Sequence, residues 1–102
     1  MDRVAMLTEI LTQDPNDAFA RYGLAMEYSN QGEVDRAMEE FVKLLSVHPD
    51  YTAGYFMAAQ ALARANRMDQ AKKMLGDGIV SAKRTGNAHA QSEMEGMLAD
   101  LG

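Results

Sequence analysis

The chain has 102 residues, 47% of them hydrophobic and 25% charged, with a net charge of −5 and no cysteine. That length sets one small domain with a modest core, and the missing cysteine excludes disulfides, thiol catalysis and cysteine-held zinc. An acidic balance without clustered Lys and Arg argues against a nucleic-acid partner, and no stretch is long and apolar enough to make a membrane one. In the opening VAMLTEIL, Val4, Leu7, Ile10 and Leu11 recur at three and four, the stripe of a first amphipathic helix that Pro15 ends. Asp14, Asn16 and Asp17 are suited to cap the next helix, since their side chains accept from free backbone N–H groups and complement the helix dipole. The second helix is predicted from about Ala18 to Asn30, where Gly32 supplies a turn. A third starts near Val34, buries Ala37, Phe41, Leu44 and Leu45, and stops before Pro49.

The cycle then recurs. Asp50 is expected to open a fourth helix from about Thr52 to Ala65, RANRMD makes a turn, and a fifth helix runs from about Asp69 to Lys83. After a break at Gly86, AHAQSEMEGMLADL sets Ala90, Met94, Met97, Leu98 and Leu101 on one stripe, an amphipathic helix able to cover an apolar end. No segment alternates as a strand does, so the expectation is an all-α fold. The charge is uneven: residues 1–51 hold four basic and ten acidic side chains, residues 52–102 six and five. MDRVAMLTEILTQD, with an acid at position 2 and its apolar residues broken by Thr8 and Glu9, does not resemble a secretory signal, and a cytoplasmic location is expected.

The two prolines stand 34 residues apart, and superposing 18–51 on 52–85 sets Leu24 and Ala25 on Ala58 and Ala59. The same shift sets Tyr28 on Leu62, Ala37 on Ala71 and Phe41 on Leu75. In period and residues the unit resembles the tetratricopeptide repeat (TPR), a pair of antiparallel helices. Repeat 1 carries Leu24, Ala25, Tyr28, Ala37, Phe41 and Pro49 of the pattern, and repeat 2 carries Tyr55, Ala59, Leu62, Ala71 and Leu75. Arg21 departs from it at a large apolar position, Leu44 and Gly78 at a small one, and Lys83 at the terminal proline, so the fifth helix is expected to run on toward Gly86. The resemblance implies a right-handed solenoid of six helices, with a half-repeat helix at 1–17, repeats at 18–51 and 52–85, and a capping helix at 86–102.

No catalytic constellation accompanies this pattern. His48 and His89 lack the spacing of metal ligands, the adjacent Glu39 and Glu40 read as a solvated face, and GDG at 76–78 lacks the spacing of a phosphate loop. Neither an enzyme nor a cofactor is expected. In the family the first helix of each unit faces a concave groove, which implies Phe19, Tyr22, Met26, Ser29 and Asn30 in repeat 1. In repeat 2 it implies Ala53, Phe56, Gln60, Ala63 and Arg64, and in the last helix Asn87, Ala90, Met94, Met97 and Leu98. The last three also fit simple packing.

The partner-binding set is therefore Phe19, Tyr22, Met26, Ser29, Asn30, Phe56, Gln60 and Arg64; Phe19, Tyr22, Met26 and Phe56 are read as one apolar strip across both repeats, with Gln60 and Arg64 orienting what binds, and truncation at Tyr22 or Phe56 is expected to weaken association while leaving the thermal midpoint nearly unchanged. Places where some family members grip a C-terminal carboxylate hold Tyr22, Met26 and Met57 here, with only Arg64 as a cation nearby, so no such clamp is expected. Two functions follow: a module that binds a peptide or protein segment in its groove, or a self-assembling protein whose exposed apolar surface pairs with a second copy, as a homodimer would.

Overall fold

The computed structural model describes residues 2–102. Among these residues the chain forms six helices and no strand: α1 (Arg3–Gln13), α2 (Ala18–Asn30), α3 (Val34–Val47), α4 (Thr52–Arg64), α5 (Met68–Arg84) and α6 (Ala88–Leu101). The fold is an all-α helical repeat. It divides into two compact units, residues 1–48 with α1 to α3 and residues 49–102 with α4 to α6.

Three turns share one mechanism. After α2, α4 and α5 the chain passes through a left-handed residue, Gly32 at φ 77°, Asn66 at 62° and Gly86 at 70°. The residue beyond each donates its N–H back into the helix: Glu33 to the Tyr28 carbonyl at 2.9 Å, Arg67 to Leu62 at 2.8 Å and Asn87 to Ala82 at 2.8 Å. The left-handed residues donate one step inward, to Ser29, Ala63 and Lys83, which completes a Schellman closure in all three. Glycine takes that conformation without strain, and asparagine is among the side chains that tolerate it. The helices α1 and α3 end differently. Asp14 (φ −138°, ψ 94°) leaves α1 extended and His48 (φ −122°, ψ 71°) leaves α3 outside the helical region, since a following proline disfavours the helical conformation. With no proline at position 83, α5 runs for 17 residues against 14 in α3 and stops only at the closure on Gly86.

Side-chain caps open three helices. Asp2 accepts from Ala5 N at 2.7 Å, Asp17 from Ala20 N at 2.8 Å and Asn87 from Ala90 N at 3.1 Å. Asp50 does not cap α4 as the sequence suggested: the cap residue is Tyr51, without a side-chain bond, and the Asp50 carboxylate is held by the Arg84 guanidinium.

Each unit has its own core. In the first, Leu7 and Leu11 of α1 meet Ala20 and Leu24 of α2, with Val4, Ile10 and Tyr28 packed around them, and α3 buries Ala37, Phe41 and Leu44. In the second, Tyr55, Ala58, Ala59 and Leu62 of α4, Ala71, Leu75 and Ala82 of α5, and Met94 of α6 are buried. Alanines at 0% exposure let helix backbones approach while Phe41, Leu62 and Leu75 fill the space between them. The helices come close at Gly78 on α5, where a Cβ would stand 2.5 Å from Met94 Sδ and 2.6 Å from Tyr55 Cβ.

Candidate functional site

In the first unit α2 turns Ala20, Gly23, Leu24 and Ala25 inward, which leaves Phe19, Tyr22, Met26 and Ser29 on a different side at steps of three and four. Phe19 is 67% exposed, the most open of the large hydrophobic side chains among the described residues. Tyr22, Met26 and Ser29 are half-buried and Asn30 is exposed. Tyr22 also meets the fully buried Phe41 edge-on, with centroids 6.4 Å apart and planes at 70°, so its ring serves the core as well as the surface. The expectation that truncating it leaves stability untouched is therefore corrected.

Beside this face lies a feature that periodicity alone missed. Arg21 is ion-paired with Glu40 of α3, the two side chains only 16% and 10% exposed. Glu40 is therefore not part of a solvated face with Glu39, as expected, but a buried carboxylate neutralised by a partner 19 residues away. Arg21 also donates to the Pro15 carbonyl at 2.8 Å. One repeat later Tyr55 stands where Arg21 does, and its hydroxyl donates to the Pro49 carbonyl at 2.8 Å, while Met74 stands where Glu40 does. The departure at Arg21 thus keeps the bond to the repeat-ending proline and adds an ion pair where repeat 2 carries Tyr55 and Met74. The signal was present in the superposition: Arg21 and Glu40 change together, to Tyr55 and Met74.

In the second unit Phe56 and Gln60 are half-buried on α4 and Arg64 is exposed at its end. Between α4 and α6 an open hollow of ≈ 360 Å³ is floored by Phe56, Met57, Ala90 and Met94, with His89 and Glu93 on its rim. Met94 is fully buried and closes the hollow from below, a packing residue, whereas Met97 and Leu98 are half-buried. On the side of α5, Ser81 and Arg84 join Tyr55 in donating to the Pro49 carbonyl, at 2.9 and 3.2 Å. Burial raises the Tyr55 phenol above its usual pKa, opposed by Arg84 and reinforced by Asp77 and Asp50.

The histidines do structural and surface work. The His48 ring donates through Nε2 to the Asn16 carbonyl at 2.8 Å, and exposed His89 contacts Glu93 one turn on, at 3.0 Å. Among the described residues no group of His, Asp and Glu could hold a metal ion, and no helix is long and apolar enough to cross a membrane.

This architecture, helix pairs closed by the same turn and buried alanines at equivalent positions, defines a helical-repeat protein. Residues 30–99 match the family model described as Tetratricopeptide repeat. A TPR repeat-containing protein of Pseudomonas aeruginosa is 27% identical over 95 residues, covering 93% of this chain and 90% of that protein. Among solved structures, a tetratricopeptide repeat domain protein from Salinibacter ruber superposes with a TM-score of 0.78 at 31% identity, over 86% of this chain and 89% of that one. A protein from Bordetella parapertussis shares the fold at a TM-score of 0.83, with 19% identity and 99% and 88% coverage. The chain belongs to the tetratricopeptide repeat family. Such domains are generally non-catalytic scaffolds and act as protein–protein interaction modules.

Proposed function

We propose that the chain is a TPR interaction module, with repeats at 18–51 and 52–85 between a half-repeat helix at 1–17 and a capping helix at 86–102, that binds a segment of a partner protein on its first-helix faces. In the first unit Phe19, Tyr22, Met26, Ser29 and Asn30 form the contact surface, and in the second Phe56, Gln60 and Arg64. The observation that carries this reading is Phe19: a whole aromatic ring left 67% exposed on a helix whose opposite side is fully packed. Such a ring gains little for the fold where it stands, whereas an aromatic anchor buried in an interface contributes about 2 kcal/mol or more. Methionine beside it offers an adaptable apolar contact.

Phe19→Ala and Phe56→Ala, assayed for association with a protein partner and for thermal unfolding, test the proposal. Binding weakened at least tenfold for Phe19→Ala with an unchanged unfolding midpoint supports it. Unchanged binding places the contact surface elsewhere.

A further inference from the structure

The hollow between α4 and α6 has its own chemistry, and resting on the interaction-module reading above, we infer that it receives an apolar side chain of a partner segment whose neighbouring residue is lysine or arginine. The floor of Phe56, Met57, Ala90 and Met94 is apolar, and a volume of ≈ 360 Å³ leaves room for a leucine, methionine or phenylalanine side chain. The polar rim is already largely spoken for. The Asn87 side-chain oxygen accepts from Ala90 N at 3.1 Å, and the Thr52 hydroxyl donates to the Asp50 carbonyl at 3.2 Å.

Glu93 is the carboxylate of the rim, in contact with an exposed histidine. Its Oε1 lies 3.0 Å from His89 Nε2, its side chain is 52% exposed, and no lysine or arginine lines the hollow to neutralise it. The rim therefore carries one carboxylate and no standing cation, complementary to a basic residue and repulsive to an acidic one.

The test uses the full chain labelled with ¹⁵N and three acetylated, amidated twelve-residue peptide pools. In the first, every member places Leu, Met or Phe next to Lys or Arg; in the second the base is Glu; in the third the apolar residue is Ser. The expected result is that the first pool shifts the amide signals of Ala53, Phe56, Ala90 and Met94. Replacing the base by Glu, or Glu93 by Lys in the protein, should weaken it about fivefold. Replacing the apolar residue by Ser should weaken it about tenfold or more. The Glu93→Lys protein should in turn prefer the Glu pool, and since position 93 is on the surface the variant folds as the parent does.

Equal binding of the basic and acidic pools overturns the inference, as does an absence of shifts on α4 and α6. Shifts confined to Phe19, Tyr22 and Met26 of α2 overturn it while leaving the module reading standing. A first pool that leaves every amide unmoved overturns it too, and the module reading is then decided by the Phe19→Ala assay with a protein partner.

Discussion

Replacing Gly78 by alanine sets two effects against each other at one atom. Inside a helix, Ala is preferred to Gly by about 1 kcal/mol, because glycine loses more backbone entropy on folding. The added methyl, however, would stand 2.5 Å from Met94 Sδ and 2.6 Å from Tyr55 Cβ. The methionine tip can swing aside, but Tyr55 Cβ is fixed to the α4 backbone, and the Tyr55 ring is itself held by its bond to the Pro49 carbonyl. Overpacking of this kind costs about 1–3 kcal/mol, here toward the upper end because the unyielding neighbour is the nearer to the backbone. The net expectation is a loss of about 2 kcal/mol, or about 10 °C in Tm for a domain of this size. Gly76, two residues earlier on α5, has nothing within 4 Å of the equivalent Cβ, so Gly76→Ala should gain about 0.5–1 kcal/mol. Urea and thermal unfolding followed by circular dichroism at 222 nm compares the two variants with the parent. A Gly78→Ala protein as stable as the Gly76→Ala one would refute the claim that α4, α5 and α6 meet at van der Waals limits there.

Removing Arg21 alone, as Arg21→Tyr, leaves the buried Glu40 carboxylate with only the exposed Lys43 at 3.9 Å and should cost up to about 3 kcal/mol in chemical denaturation; adding Glu40→Met installs the residues of repeat 2 and should recover most of it. Asn66→Ala forces a Cβ-bearing residue without a local polar partner into φ 62° and should lose about 1 kcal/mol, while Asn66→Gly should not. Because the folded-state pKa of Tyr55 is raised, the folded chain binds the proton more tightly than the unfolded one above pH 10; its contribution is complete below that pH and is lost as pH rises beyond it, so Tyr55→Phe should flatten the alkaline fall of stability. Tyr22→Ala should lower both partner affinity and Tm, since its ring also packs on Phe41.

The helices were legible because each is bounded by chemistry that acts locally. Pro15 and Pro49 end α1 and α3, Gly32 and Gly86 close α2 and α5, and apolar stripes at three and four mark the buried sides. Asn66 was less visible, since asparagine is also common in ordinary turns, yet it occupies the place of Gly32 one period later and takes the same conformation. What local pattern does not encode is pairing between helices. Asp50 looked like a cap because it precedes a helix, but Arg84, 34 residues on, competes for its carboxylate and wins. Glu40 looked solvated because its neighbour Glu39 is, and its burial is made tolerable mainly by Arg21 on another helix, with Lys43 at 3.9 Å. At the candidate site the face of α2 could be read from spacing, whereas the division of Tyr22 between surface and core depends on the position of Phe41.

The central claim is that the first-helix faces meet a foreign protein, and photo-crosslinking in cells of the native host tests it most directly. The photoreactive residue p-benzoylphenylalanine would replace Phe19 or Phe56, and, as controls, the exposed Val42 of α3 or Val80 of α5. The account predicts adducts with a protein other than this chain from positions 19 and 56, and none from 42 and 80. Adducts from 42 and 80 alone, or from 19 and 56 only with a second copy of the chain, would contradict it.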